Sequence, residues 1–161
     1  MLQPGFQGPL VVEYLDGVKW LLHQDFGYVS SVVSPGELFT APRGFYTDFA
    51  SVPSLLHSVV TPTGRHGKSA VIHDLVFFAG YKNSRLLCDM LFDEAMGFEK
   101  EGSILRPIIY CNVRAFGWRA WYKHRAAGHG LAVLDQKIRF RSFNDLRGVR
   151  TRGEPKIITI Q

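Results

Sequence analysis

AVIHDLVFFAGYKNSRLLCDMLFDEAMG, residues 70–97, decides the fold. Apolar residues recur at helical spacing on both sides of Gly80, and Asn83-Ser84 is a pair that caps helix N-termini. The spacing predicts one helix over about Lys68–Ala79, stopped by Gly80, and a second that starts after Ser84 and ends at Gly97. The connection is short, so the two helices should pack antiparallel.

Upstream the pattern is β. Val11–Leu15 and Val18–Leu22 flank Asp16-Gly17, the dipeptide of a tight hairpin turn. Further strands are expected at Tyr28–Val33 and Glu37–Thr40. Residues 42–67 hold several Pro, Gly and Ser and form a loop too long for a plain connector, a candidate site loop. Downstream, a third helix is expected from about Ile104 to Arg125, with Pro107 in its first turn. The tail offers strands at Lys137–Phe143 and Lys156–Ile160. The order implies an α+β fold, with a domain over residues 1–127 and a basic C-terminal tail or arm over 128–161.

The 161 residues suit one core, and 46% hydrophobic with 20% charged is an ordinary globular balance. No apolar run is long enough to span a bilayer, and the N-terminus lacks the pattern of a secretory signal. Cys88 and Cys111 both fall on helical stretches and are expected to be reduced thiols. The net charge of +5 is unevenly spread: residues 1–105 carry 7 Lys/Arg against 11 Asp/Glu, residues 106–152 carry 11 against 2. That split points to an anionic partner for the back third, whether nucleic acid, an anionic membrane surface or an acidic protein face.

His73 shares a helix face with Ala70 and Phe77, and Asp89 shares one with Leu86, Phe92 and Met96. A carboxylate on such a stripe is buried and needs a partner. Across an antiparallel pair that partner is the His73 ring, an arrangement that fixes one imidazole tautomer and leaves the other nitrogen to take a proton from water. Asp74 points to the helix edge, and Asp48 lies in the upstream segment YTDFASVP. Two carboxylates with loop carbonyls are an all-oxygen set, suited to Ca²⁺ or Mg²⁺ rather than Zn²⁺.

The segments YTDFASVP, AVIHDLVF and SRLLCDMLFDEAM, in this order, together with VRAFGWRAW, resemble a family of small phage and prophage proteins known as domain of unknown function 1353. The resemblance covers about residues 40–122. It implies phage or prophage origin, synthesis in the host cytoplasm, and neighbours among virion and lysis proteins. A more remote similarity joins the helix pair to prokaryotic secreted phospholipase A2, through His73, Asp74 and Phe77, then Arg85, Asp89, Phe92 and Met96. That resemblance implies His73 as general base, Asp89 as its orienting carboxylate, and Asp74 as a Ca²⁺ ligand with Asp48 as a second; Mg²⁺ suits it less. The chain departs from that pattern in carrying Phe77 where a tyrosine is usual, and in having no glycine-rich calcium loop.

Thr63–Ser69 superficially resembles a phosphate loop, but Pro62 replaces its first glycine. Arg65, His66 and Lys68 ahead of a helix N-terminus remain a candidate site for one phosphate group. A metal phosphohydrolase of the His-Asp type needs further ligands that this chain lacks, and His57, His124 and His129 show no zinc spacing. Tyr110, Trp118, Trp121 and Tyr122 give the third helix aromatic bulk for a core or an interface. Arg114, Arg119, Lys123 and Arg125 make it basic, a partner-binding candidate. Three function classes follow: a metal-assisted ester hydrolase, a structural component of a phage tail or baseplate, and a nucleic-acid or host-factor binding module using residues 106–152.

Overall fold

The computed structural model describes residues 2–16, 19–49, 66–99, 104–127 and 156–160. Two small antiparallel sheets carry the N-terminal half. One has the order β1-β4-β5 (Gly5–Gln7, Phe26–Val29, Leu38–Ala41). The other has the order β6-β3-β2-β7 (Tyr46–Thr47, Lys19–Leu22, Leu10–Asp16, Lys156–Ile160). Four helices follow: α1 Gly67–Ala79, α2 Arg85–Phe98, α3 Leu105–Phe116 and α4 Trp118–Ala126. The fold is α+β, as the element order implies.

The β2–β3 hairpin sets Tyr14 opposite Trp20 and Val12 opposite Leu22, with an irregularity between Tyr14 and Asp16. Asp16, expected in the turn, is the last residue of β2 and pairs with Lys19; residues 17–18 lie outside the described residues, as does the strand expected at Lys137–Phe143. The strand expected at Lys156–Ile160 is β7; it pairs with β2 from Leu10↔Ile160 to Tyr14↔Lys156, which places the end of the tail stretch in the N-terminal sheet. Strand β4 stops at Val29 instead of Val33: the Ser30 N–H still reaches the Glu37 carbonyl at 3.1 Å, but the N–H groups after it serve a carboxylate. Glu94 of α2 accepts from the N–H of Ser31 (2.6 Å), Val32 (3.3 Å) and Val33 (2.9 Å), and from the hydroxyls of Tyr28 and Ser30. The sites are filled from outside the sheet, so the strand cannot extend.

Helix α1 is the centre of the core. Sequence spacing gave it an apolar stripe, yet most of its residues are buried, because β5, α2 and α4 all lie against it. Both its ends are closed by side chains from afar. Glu99, just past α2, accepts from the backbone N–H of Lys68 (3.0 Å) and Ser69 (3.1 Å). At the other end Arg125 of α4 donates to the carbonyls of Phe78 (2.5 Å) and Phe77 (3.3 Å). A carboxylate at the positive end and a guanidinium at the negative end complement the helix dipole. Gly80 terminates α1 at φ +65°, and a Cβ there would lie 1.2 Å from a guanidinium nitrogen of Arg125. Both the left-handed backbone and that close approach demand glycine.

Helix α2 opens as expected on Ser84, whose hydroxyl accepts from Leu87 N–H, and runs to Phe98, one residue past the expected Gly97. The expected third helix is divided at Gly117 into α3 and α4. Strands β1 and β6 were not foreseen; three and two residues long, they are too short to show alternation.

Candidate functional site

Packing of α1 against α2 brings His73 and Asp89 together. His73 Nε2 lies 3.0 Å from Asp89 Oδ1, with the histidine 4% and the aspartate 0% exposed. A carboxylate only accepts, so Nε2 carries the hydrogen of this contact. Phe77 and Phe92 flank the imidazole, each with its centroid 4.7 Å away. Phe77 stands one helical turn from His73 and sets its ring against the imidazole.

The second oxygen of Asp89 belongs to arginines. Arg114 Nη1 from α3 lies 2.5 Å from Oδ2, and Arg85 Nη1, one turn earlier on α2, lies 3.5 Å from it. Arg85 also donates to the carbonyl of Arg114 at 3.0 Å. One buried carboxylate thereby joins α1, α2 and α3. Arg114, read from sequence as part of a partner-binding basic row, instead faces inward. Arg125 does the same, through the α1 carbonyls and a stacking contact with Trp121 at 4.8 Å. A buried carboxylate compels nearby cations inward, since leaving it with histidine alone would strand its charge. Arg119 and Lys123 remain on the exposed surface.

The upstream loop reaches the same edge of α1. Thr47, paired with Trp20 at the end of β6, donates its hydroxyl to Asp74 Oδ2 and accepts from the N–H of Phe49 at 3.2 Å. Phe49 is buried at φ +50°, with its ring 5.7 Å from that of Trp20. A bulky residue held in the left-handed region costs about 1–2 kcal/mol, and such strain gathers where geometry is imposed. Asp48, between Thr47 and Phe49, is exposed. The structure therefore anchors the TDF segment beside His73, one residue along the helix. The sequence marks out Asp48 and Asp74 as the carboxylates of the two segments; the tie between those segments is Thr47, a hydroxyl with no pattern to distinguish it.

As a calcium site this edge is incomplete. Calcium takes six to eight oxygens, and among the described residues no group of three or more His, Cys, Asp or Glu side chains converges to hold a metal. Asp74 is already engaged by Thr47.

The candidate phosphate site at the start of α1 is changed by Glu99. Its carboxylate takes the N–H groups of Lys68 and Ser69 that an anion would use, while the Lys68 ammonium sits 5.7 Å over the Phe6 ring. Arg65 lies outside the described residues, as do residues 50–64.

No helix of the described residues is long and apolar enough to cross a membrane. No curated protein and no solved structure matches the chain. A family model does match, over residues 20–113, the span that contains Thr47, His73, Asp74 and Asp89. On that match the chain belongs to the DUF1353 family, proteins of unknown function.

Proposed function

We propose that this chain is a phage-encoded ester hydrolase in which His73 is the general base and Asp89 its orienting carboxylate. The observation that carries the reading is the 3.0 Å contact between His73 Nε2 and a fully buried Asp89, whose other oxygen is held by Arg114. In this reading the Asp89 contact orients the ring through Nε2, and the other ring nitrogen is the one that would take a proton from water. The anchored Thr47–Asp74 edge, one residue along α1, supports placing the substrate there. Ca²⁺ at Asp74 and Asp48 is the expectation carried from the phospholipase resemblance, and it enters the test as a titrant.

The test is hydrolysis of a panel of soluble esters and phospholipids by the full chain, with and without millimolar Ca²⁺, beside His73→Gln. The proposal expects turnover that falls by about 100-fold or more in the variant, with the unfolding transition retained. Absence of turnover across the panel, or an undiminished rate in a folded His73→Gln, overturns it.

A second reading, a non-catalytic component of a phage tail or baseplate, is favoured by one observation: Asp89 ties three helices together. On that reading the same substitution lowers stability or assembly and there is no turnover to lose.

A further inference from the structure

Helices α3 and α4 wind almost as one. Gly117 between them has α-helical angles, φ −64° and ψ −16°. Its N–H reaches the Val113 carbonyl at 2.8 Å, and its own carbonyl accepts from Trp121 at 3.0 Å. Helical phase therefore runs through the junction. Ile104, Ile108, Cys111, Ala115, Trp118 and Tyr122 are spaced alternately four and three apart, a single stripe within an arc of about 80°. The inward side holds Ile109, Val113 and Trp121, all buried.

The stripe faces water along its length. Ile104 is 76% exposed, Ile108 40%, Trp118 47% and Tyr122 65%; Cys111 and Ala115 are exposed, and Phe116 beside them is 67% exposed. Large contiguous apolar surfaces of this kind mark places of interaction. The charges around it have one sign. Residues 104–127 contain no Asp or Glu. Their cations divide in two: Arg106 is bound by Asp93, Arg114 by Asp89 and Arg125 by the end of α1, whereas Arg119 and Lys123 are exposed next to Trp118 and Tyr122. The Arg119 guanidinium lies 5.2 Å over the Trp118 ring.

We infer that this outward face of α3 and α4 docks on an anionic lipid surface, whether or not His73 is catalytic. A helix lying in a bilayer interface needs an apolar row to enter the acyl boundary and Trp or Tyr rings at headgroup depth. It also needs cations beside those rings for the headgroups. The face supplies each, with no carboxylate among residues 104–127 to repel an anionic headgroup. A second copy would set two carboxylate-free cationic faces against each other.

The test is binding of the full chain to vesicles of phosphatidylcholine with about a third phosphatidylglycerol, the anionic lipid that supplies the attraction, against vesicles of phosphatidylcholine alone. Co-sedimentation and tryptophan fluorescence report it. The inference expects salt-sensitive binding to the anionic vesicles, with a blue shift that Trp118→Phe removes, because Trp20 and Trp121 are already buried. Arg119→Gln with Lys123→Gln should weaken partitioning roughly 25-fold, about fivefold for each charge. Both side chains are exposed, so the substitutions leave the core packing in place. An unchanged affinity in the double variant overturns the inference and assigns binding to basic residues elsewhere. Equal binding to both vesicle types, or binding to neither, overturns it too, as does concentration-dependent self-association that Ile108→Glu abolishes.

Discussion

Replacing Asp89 by Asn tests whether the site is the electrostatic hub that its geometry implies. The carboxylate is fully buried and faces three donors: His73 at 3.0 Å, Arg114 at 2.5 Å and Arg85 at 3.5 Å. Asparagine keeps one acceptor oxygen, places an NH₂ group toward either the imidazole or the guanidinium, and removes the charge that balances the two arginines. Breaking a buried pair by removing one partner costs about 3–5 kcal/mol. The guanidiniums are not fully buried, with the side chain of Arg114 32% exposed and that of Arg85 21%, so each can recover some hydration. The lower end, about 3 kcal/mol, is therefore expected. For a chain of this size it lowers the thermal midpoint by about 6–12 °C. Urea unfolding followed by circular dichroism should show a lower midpoint with an unchanged slope, the mark of altered stability rather than an altered denatured state. A loss under about 1 kcal/mol, the value for exposed ion pairs, would refute the reasoning, because the cluster would then behave as though solvated.

Two further outcomes follow from other buried groups. Burial pushes the Glu94 carboxyl upward, but hydrogen bonds from the N–H groups of Ser31 and Val33 and the hydroxyls of Tyr28 and Ser30 outweigh it and hold the group below the usual carboxylate range. A depressed folded value contributes stability above the unfolded carboxyl's titration that is lost as pH falls through the folded one. Glu94→Gln should accordingly cost about 2 kcal/mol near neutrality and flatten the acid limb of the stability curve; an acid limb identical to that of the wild type would count against the loop contacts. Burial, with Asp89 adding to it, pushes the Cys88 thiol up to about 12, whereas Cys111 is exposed. A thiol reagent should thus titrate Cys111 promptly and Cys88 only on unfolding; two fast thiols in the native protein would show that α2 does not enclose Cys88.

What the sequence made legible is what short-range periodicity encodes. The two central helices, the Ser84 cap, the Gly80 stop and the facing of His73 and Asp89 all follow from residues a turn or a short connection apart. Contacts across long separations left no such trace. Glu94 reaches residues 30–33 and Glu99 reaches residues 68–69, and neither glutamate sits in a pattern that distinguishes it from a solvated one. Glu94 nevertheless ends β4 early, and Glu99 occupies the helix terminus that the Arg65–Lys68 segment had offered to a phosphate. Arg114 is the instructive case. It lies in a stretch without carboxylates, so composition reads it as a free cation, yet a buried carboxylate had already been identified on α2. A charge on an apolar stripe must be compensated in full, and one histidine, whose charge depends on its proton, is an incomplete answer. Arg85, one turn earlier on α2, supplies part of the remaining compensation at 3.5 Å and Arg114, on the next helix packed against the pair, the closer contact at 2.5 Å, which makes an inward arginine on α3 a consequence of Asp89 rather than a property of the basic segment that contains it.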